Sequence, residues 1–394
     1  MSAETKANLR LARTWTGWTR NGAQTKGAAN CGQWASRRRN LWLRATVMLF
    51  SVSALASAQE IGIDRSNLST KSEQDRIRTV TGIRAIGAGW FRDGYSSKAP
   101  KGVADFVDVV RIAKEQNLKV LINVLPVTDD YDPGTEPTNG GAEFARRCGW
   151  SSGSLKLSLI NMDKFSARFR TQLDALKTAK LIPDAFEIGN EFDWICFNGD
   201  VPDGHEASSA EFMTAVRAYA HFLRTAATLI HSSEYFPSAK IITFGLAHGS
   251  DKWDKPSHHF ANPGRMVAQL QNLDSFNYLS NPSYHVDGYG SHIYPSADSV
   301  AQSTSDILSA DVATLGTDRL LWITEWGLNS KSFPNKSGET RAQGMADFYS
   351  AVDGFRNVTF GPIFYYAYDG QPGGSGLTDP SGALLPDARA VLGK

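Results

Sequence analysis

FEIGNE at residues 186–191 and LWITEWG at residues 321–327 share one pattern, a short and largely apolar run that ends in a carboxylate. A buried strand with an acid at its C-terminal tip is typical of a β/α barrel, in which the strand tips form the mouth. Two such strands, far apart in the sequence, can bring Glu191 and Glu325 face to face. The two stretches therefore predict a site built from paired acids at a barrel mouth.

The rest of the chain alternates apolar runs of strand length with longer amphipathic stretches, which indicates a parallel sheet. Eight such units over 61–394, with no break in composition, predict a single-domain (β/α)8 TIM barrel. No Gly-x-Gly-x-x-Gly opens a helix after the first strand, which disfavours a dinucleotide fold. The predicted strands are 61–64, 88–92, 120–125, 185–190, 240–246, 286–293, 320–324 and 362–368. The predicted helices are 69–86, 103–116, 163–180, 208–232, 264–273, 300–315, 338–355 and 386–392, and a long polar loop spans 128–161.

Composition and motifs exclude several classes of function. The 394 residues include 41 basic and 40 acidic side chains, a formal net charge of +1. This balance provides no basic footprint for nucleic acid or for an anionic membrane surface. His248, Asp254 and His258-His259 lack the spacing of metal ligands, and no Gly-x-Ser-x-Gly elbow is present. We therefore expect no nucleic-acid partner, no cofactor and no metal.

Residues 1–58 have the pattern of a processing region. Arg37-Arg38-Arg39 precedes an apolar run at 45–55, and Ala56-Ser57-Ala58 follows it. A basic segment, a short apolar segment and an A-x-A site together indicate a secretory signal, and the run is too short to span a bilayer. We predict a barrel domain over 59–394 in a secreted or periplasmic protein without stable membrane insertion. The alternatives are a retained membrane anchor and a true start further downstream.

The cysteines are consistent with export. Cys31 lies in the processing region, which leaves Cys148 and Cys196, each in a loop that follows a predicted strand. An exported protein meets conditions that permit disulfides. A disulfide between these two residues and a pair of free buried thiols both remain open.

Nearly every predicted strand ends in a polar or aromatic side chain, whereas core packing alone would place such groups at one or two ends. In a TIM barrel these tips carry the functional groups. The tips are Asp64, Arg92-Asp93, Asn123, Asn190-Glu191, His248, His292 with Tyr294, Glu325-Trp326, and Tyr366 with Tyr368 and Asp369.

Asn190-Glu191 after strand four and Glu325 after strand seven resemble the clan of retaining glycoside hydrolases on (β/α)8 barrels. That clan includes the family 5 cellulases and mannanases and the family 39 xylosidases. Residues 323–327 look most like family 5, and residues 187–191 look more like family 39. Arg92, His292 and Tyr294 also agree with the clan pattern. Asn123 departs from it, because many family 5 enzymes have a histidine there.

The resemblance implies a retaining enzyme that cleaves β-glycosidic bonds in an oligo- or polysaccharide by double displacement. It makes Glu191 the general acid/base and Glu325 the nucleophile. That chemistry needs a protonated acid and an ionised nucleophile with carboxyl groups about 5–5.5 Å apart. Arg92 can keep Glu325 ionised through a charge-assisted hydrogen bond. Arg92 as a surface ion-pair partner of Asp93 remains the alternative.

The remaining predicted site residues bind substrate or position the acids. The resemblance places Asn190 on the sugar 2-hydroxyl, Tyr294 on the nucleophile, and His292 on the acid/base or the sugar. A purely structural histidine at 292 remains open. Aromatic faces suit sugar rings, but they also fill cores. The stacking and subsite candidates are Trp90, Asp193, Trp194, Trp326, Tyr366, Tyr368 and Asp369. Core packing remains the alternative for Trp194, Tyr366 and Tyr368.

Two rival functions share these motifs. A transglycosylase uses the same intermediate and passes the sugar to another sugar. A carbohydrate-binding protein on an inactive barrel needs neither Glu191 nor Glu325, so the presence of both disfavours it. A monomer is the expected state in either case.

Overall fold

A computed structural model describes residues 59–393 except for 139, 202–207, 233, 248–265, 267–268, 271–285, 318 and 371–373. Within these residues, eight strands form one closed parallel barrel in chain order, β1 to β8. The predicted TIM barrel is confirmed. The strands are β1 (Ile61–Asp64), β2 (Trp90–Gly94), β3 (Lys119–Val124), β4 (Ala185–Ile188), β5 (Lys240–Ala247), β6 (Gly288–Ile293), β7 (Leu320–Trp326) and β8 (Thr359–Tyr366).

Seven helices lie in the described part of the chain. They are α1 (Glu73–Ile86), α2 (Val103–Glu115), α3 (Ala142–Cys148), α4 (Met162–Thr178), α5 (Ser209–Ile230), α6 (Val300–Leu315) and α7 (Arg341–Gly354). The start of α1 is set by Ser72, whose side chain accepts from the Asp75 amide, so this helix begins four residues later than predicted. Ser208 caps α5 in the same way, with Glu211 completing a capping box.

Two other sequence predictions differ from the structure. The segment 128–161, predicted as an irregular loop, contains α3 and two short 3-10 helices. The predicted last helix, 386–392, is a 3-10 helix at Ala388–Leu392. The predicted helix at 264–273 falls mostly outside the described residues.

Side chains at the lower end of the barrel, where the strands begin, form a small aromatic core. Trp90, Trp322 and Phe364 are at most 4% exposed and pack with Leu121, Ala185 and Ile242. The rings of Trp90 and Trp322 meet edge to face at 5.4 Å. This plug closes the lower end, so polar side chains inside the barrel gather at the upper end, where the strands finish.

Glycines allow close contacts inside the barrel near this polar end. A side chain at Gly245 would place its Cβ 2.0 Å from Nε2 of His292, so the histidine occupies the space that Gly245 leaves. A Cβ at Gly290 would lie 2.8 Å from the backbone oxygen of Thr243. No described helix is long and apolar enough to cross a membrane.

Replacing Gly290 tests this packing. Gly290→Ala should lower the free energy of unfolding by about 1–3 kcal/mol, because the new methyl group meets backbone atoms of β5 that cannot rotate away. Gly354→Ala is the matched control, since nothing lies within 4 Å of the added carbon. Denaturant unfolding followed by circular dichroism measures both, and equal stability of the two variants would contradict the packing argument.

Candidate active site

Arg92 is the centre of the site. Its side chain is 2% exposed inside the barrel and donates to side chains from three other strands and one loop. Nε donates to Oε2 of Glu187 at 2.6 Å, and Nη2 donates to Oδ1 of Asn190 at 3.1 Å. Nη1 donates to Oε1 of Glu325 at 2.7 Å and also to Asp64. Arg92 is therefore not a surface partner of Asp93.

Glu191 sits on a strained turn directly after β4. Gly189 has φ +102°, and a Cβ there would meet the Phe192 ring at 2.6 Å. Glu191 itself has φ +45°, a left-handed conformation that costs a non-glycine residue about 1–2 kcal/mol. Its amide donates to the Gly245 oxygen, which holds the turn. Such strain is concentrated at functional sites, and here it aims the carboxylate across the barrel mouth.

His292 and Tyr294 connect the two acids. Nδ1 of His292 lies 2.8 Å from Oε1 of Glu191 and 3.6 Å from Oε2 of Glu325. Tyr294 donates its hydroxyl to Oε2 of Glu325 at 2.6 Å. A register shift between β6 and β7 places His292 directly beside Glu325. One carboxylate oxygen of Glu191 and one of Glu325 lie within 4.8 Å of each other, and both residues are nearly buried.

The two acids differ in their electrostatic environment. Burial raises the pKa of Glu191, and the negative charge of Glu325 raises it further, against the lowering effect of His292. Glu325 instead accepts hydrogen bonds from Arg92 at 2.7 Å and from Tyr294 at 2.6 Å. Glu191 is therefore the member of the pair that is suited to hold a proton.

Other buried ionisable side chains around the acid pair also have shifted pKa values. Burial would raise the pKa of Glu187, but Arg92 and His292 outweigh it and lower that pKa to about 2. Burial raises the pKa of Asp64 to about 7 and that of Asp93 to about 8. Burial opposes the charge of His292, yet Glu325, Glu187 and Glu191 raise its pKa to about 10.

Glu191, His292 and Glu325 form the one group within the described residues whose donor atoms could together hold a metal ion. All three are already engaged, because His292 bonds Glu191 and Glu325 accepts from Arg92. A divalent ion here would lie close to the Arg92 cation, which disfavours it. His248, Asp254 and His258-His259 lie outside the described residues.

Two predicted aromatic residues lie near the acids. Tyr366 is half-buried, its ring centre is 6.4 Å from that of Tyr294, and burial followed by Glu325 raises its pKa. Trp194 is partly exposed three residues after Glu191 and packs against Phe197 at 5.9 Å between ring centres. Tyr366 is in place to face a bound molecule, and Trp194 lies on the loop that carries Glu191.

Two predicted substrate-binding residues are corrected. Trp326 is fully buried and stacks on Phe348 of α7 at 3.8 Å, because neighbouring residues point to opposite faces of a strand and Glu325 points inward. Tyr368 directs its hydroxyl at Gly82 of α1, where an added Cβ would lie 1.8 Å away. Both residues pack between the barrel and its helices.

Three subsite candidates also have other roles. Trp90 belongs to the lower aromatic core and donates to Glu60 at 2.8 Å. Asp193 is fully buried and accepts from the Ala247 amide. Asp369 forms an ion pair with Arg65 at 2.7 Å.

Sequence reasoning missed the roles of Glu187, Asp64 and Asn123. Glu187 and Asp64 are fully buried acids that hold Arg92, and Asn123 donates to Glu187 at 3.0 Å and to the Gly189 oxygen at 2.7 Å. Glu187 interrupts an otherwise apolar strand two residues before the Gly-Asn-Glu turn. A charged residue in the middle of a buried strand was the available signal.

A disulfide joins Cys148 and Cys196, with a Cα–Cα distance of 5.5 Å. It links α3, in the segment after β3, to the loop that follows Glu191. Hydrogen bonds reinforce the same junction, from Ser154 to the Ile195 oxygen at 2.6 Å and from the Gly199 amide to the Leu155 oxygen at 3.0 Å. Residues 195–199 of the loop that carries Glu191 are therefore fastened to the segment after β3.

Comparisons with known proteins bear on the fold. No family model matches the chain, and no curated protein matches it. Solved structures do match. An endo-1,4-β-D-mannanase from Thermotoga petrophila RKU-1 is 13% identical with a TM-score of 0.52, over 83% of this chain and 93% of that chain.

Two other structures extend this likeness. An endo-1,4-β-mannanase from Rhizomucor miehei is 12% identical with a TM-score of 0.53, over 85% of this chain and 95% of its own. A fungal β-1,4-galactanase is 15% identical with a TM-score of 0.51, over 85% of this chain and 99% of its own. At these identities the likeness shows a shared TIM-barrel fold.

The buried acid at the end of β2 predicts a pH dependence of stability. With a pKa near 8 in the folded chain and an ordinary value of 3.8, Asp93 keeps a proton that the unfolded chain loses. Its contribution therefore makes the free energy of unfolding fall as pH rises from about 4 to 8. Asp93→Asn should flatten this fall and increase stability relative to wild type at pH 8 but not at pH 4.

Denaturant unfolding at pH 4, 6 and 8 measures this effect. Glu115→Gln, at the exposed end of α2, is the control and should follow the wild-type curve. If the Asp93→Asn curve runs parallel to wild type, the buried acid does not carry the proton assigned to it.

Proposed function

We propose that this protein is a retaining glycoside hydrolase that cleaves β-linked oligo- or polysaccharide by double displacement. The observation that carries the proposal is the acid pair, whose oxygens approach within 4.8 Å. This separation suits direct attack by one carboxylate, because an inverting enzyme needs about 6.5–9.5 Å to admit a water molecule. The names of the structural neighbours agree with this class of reaction.

The first step divides between the two acids. Glu325, held by Arg92 and Tyr294, attacks the anomeric carbon and forms a glycosyl–enzyme bond. Glu191 gives its proton to the departing glycosidic oxygen. Asn190, whose side-chain oxygen accepts from Nη2 of Arg92, bonds the sugar 2-hydroxyl in this proposal.

The second step reverses these roles. Glu191, now ionised, takes a proton from water while the water oxygen attacks the anomeric carbon, and Glu325 leaves. His292 donates from Nδ1 to the Glu191 carboxylate at this stage. Tyr294 and Arg92 stabilise the negative charge that returns to Glu325.

For the substrate we propose a β-1,4-linked polysaccharide of the mannan or galactan type. The support is the neighbours' names, with TM-scores of 0.51–0.53, together with Tyr366 and Trp194 as partly exposed aromatic side chains near the acids. We further propose that the enzyme is a monomer, that it needs no cofactor, and that it does not bind nucleic acid.

Removal of each acid should produce a different kinetic defect. Glu325→Ala should lose activity on every substrate, since no glycosyl–enzyme bond can form. Glu191→Ala should slow cleavage of mannan or galactan by about 10²–10⁴-fold, yet keep fast glycosylation by dinitrophenyl glycosides, whose leaving group needs no proton. Steady-state and burst kinetics on β-glycans and aryl β-glycosides measure both effects.

Azide distinguishes the roles further. It should rescue Glu325→Ala to give an α-glycosyl azide and Glu191→Ala to give a β-glycosyl azide. Glu115→Gln serves as the control. Full activity in Glu325→Ala would contradict the nucleophile assignment. Transfer to added sugar without hydrolysis would indicate a transglycosylase, and binding without turnover in wild type would indicate a carbohydrate-binding barrel.

We also propose that residues 1–58 direct export and are removed, so that the mature chain begins at Gln59. The support is the signal-like sequence and the Cys148–Cys196 disulfide, which suits an oxidising compartment. Expression in a secreting host, followed by mass spectrometry, should find a mature protein that starts at Gln59 and exposes two thiols only after reduction. An intact N-terminus on exported, active protein would exclude this cleavage.

A further inference from the structure

Glu187 lies under the two acids without touching either. It is fully buried in β4, and Glu191 follows four positions later, beyond the end of that strand. Its two carboxylate oxygens face opposite sides of the site. The proposed mechanism gives it no role.

One oxygen serves the nucleophile side. Oε2 accepts from Nε of Arg92 at 2.6 Å and from Asn123 at 3.0 Å. With one edge of the guanidinium held by Glu187, the remaining nitrogens of Arg92 are directed at Glu325 and Asn190. Glu187 thus orients Arg92, and Arg92 in turn orients the nucleophile Glu325.

The other oxygen faces the acid/base side. Oε1 of Glu187 lies 3.8 Å from Nε2 of His292, and both atoms are fully buried without a hydrogen-bond partner among the described residues. Oγ1 of Thr324 is a third such atom and lowers the pKa of Glu187 through its contact with that carboxyl. Gly245 has no side chain, and this leaves room for Nε2 of His292. Glu187 is therefore the carboxylate that faces Nε2 of His292, the ring nitrogen that does not contact Glu191.

The balance of buried charges connects the nucleophile side of the site with the acid/base side. The site holds four acidic side chains, Asp64, Glu187, Glu191 and Glu325, around one arginine, Arg92, and Glu187 keeps its charge because Arg92 and His292 lower its pKa to about 2. A buried charge without a partner is costly, so a second cation stabilises the cluster. His292 can supply it, because it has a carboxylate at each ring nitrogen.

We propose that Glu187 is a positioning residue that joins the two halves of the site. Oε2 orients Arg92 on the nucleophile, and Oε1 keeps Nε2 of His292 protonated so that Nδ1 donates to Glu191. The inference rests on the proposed function for its catalytic meaning. The charge of His292 can be tested without any activity.

The first experiment reads that charge directly. Long-range ¹H–¹⁵N spectra of the ¹⁵N-histidine-labelled protein report which ring nitrogens are protonated, and His292→Gln assigns the signal among the eight histidines. Wild-type His292 should remain an imidazolium from pH 6 to 9. In Glu187→Gln it should lose its proton within that range, whereas Glu187→Asp, which keeps the charge, should restore the wild-type signal.

Other charged or polar groups face Glu187, so a matched control is needed. Asp93→Asn removes another buried carboxyl, on β2 and 6% exposed, which accepts from the Leu68 amide, and it should leave the histidine signal unchanged. The groups that face Glu187 are Asp64 of β1, Arg92 of β2, Asn123 of β3, Tyr219 of α5, His292 of β6 and Thr324 of β7.

The second experiment is the pH profile of kcat/KM. The His292 cation lowers the pKa of Glu191, so its loss in Glu187→Gln should move the basic limb up by about one pH unit. In Glu187→Gln, Arg92 also loses an ionic contact and holds Glu325 less firmly, which should reduce kcat about a hundredfold. A merely structural residue would lower the rate without moving the limb, as expected for any effect of Asp93→Asn.

The outcomes separate the two proposals. Neutral His292 in wild type at pH 7, or an unchanged titration in Glu187→Gln, would overturn the role of Glu187, and the wild-type measurement alone decides this if the variant does not fold. Wild-type protein that cleaves no glycan, yet shows the expected titrations, would overturn the proposed function and leave the Glu187–His292 pairing in place.

Discussion

The ion cluster around Arg92 is the constraint on which the site depends. A guanidinium that is 2% exposed must have its charge compensated and its donors occupied, and the barrel supplies acids from three strands for this purpose. The same planar group determines where Glu325 and Asn190 lie, because its donors point in fixed directions. The cost of burying these charges is offset by the aromatic plug below and the packed helices outside.

The two acids gain different properties from different neighbours. Glu325 sits at the tip of β7, in reach of two strong donors. Glu191 sits on a strained turn, buried and opposite a like charge, where the protonated form is favoured. Neither difference arises from the residue type, since both are glutamates. It arises from what each strand end meets across the barrel mouth.

The surrounding loops contribute rigidity to the acid/base side. The segment after β3 is long, and a disulfide and backbone hydrogen bonds fasten it to the loop after Glu191. A strained turn keeps its geometry only when its surroundings hold it. The disulfide and the hydrogen bonds supply that restraint, so Cys148 and Cys196 help to hold the turn that carries Glu191.

The sequence by itself determined the barrel and singled out Glu191 and Glu325 as acids that meet at its mouth. Alternating strands and amphipathic helices have a periodicity that is local, and an acid at the end of an apolar strand is visible in a few residues. Arg92, His292 and Tyr294 were identifiable through the resemblance to the clan pattern. Their contacts with Glu325 and Glu191 are those that the resemblance implied.

Only the tertiary structure decided which aromatic residues face the mouth and which inner charges support it. Trp326 and Tyr366 end β7 and β8, and Tyr368 follows β8, but the direction of each side chain depends on strand pleat and on the chain path beyond the barrel. In the sequence, Glu187 is only a charged residue that interrupts an apolar strand. In the closed barrel, Arg92 and His292 lie on either side of it. These relations join residues more than 90 positions apart, so no local pattern could have carried them.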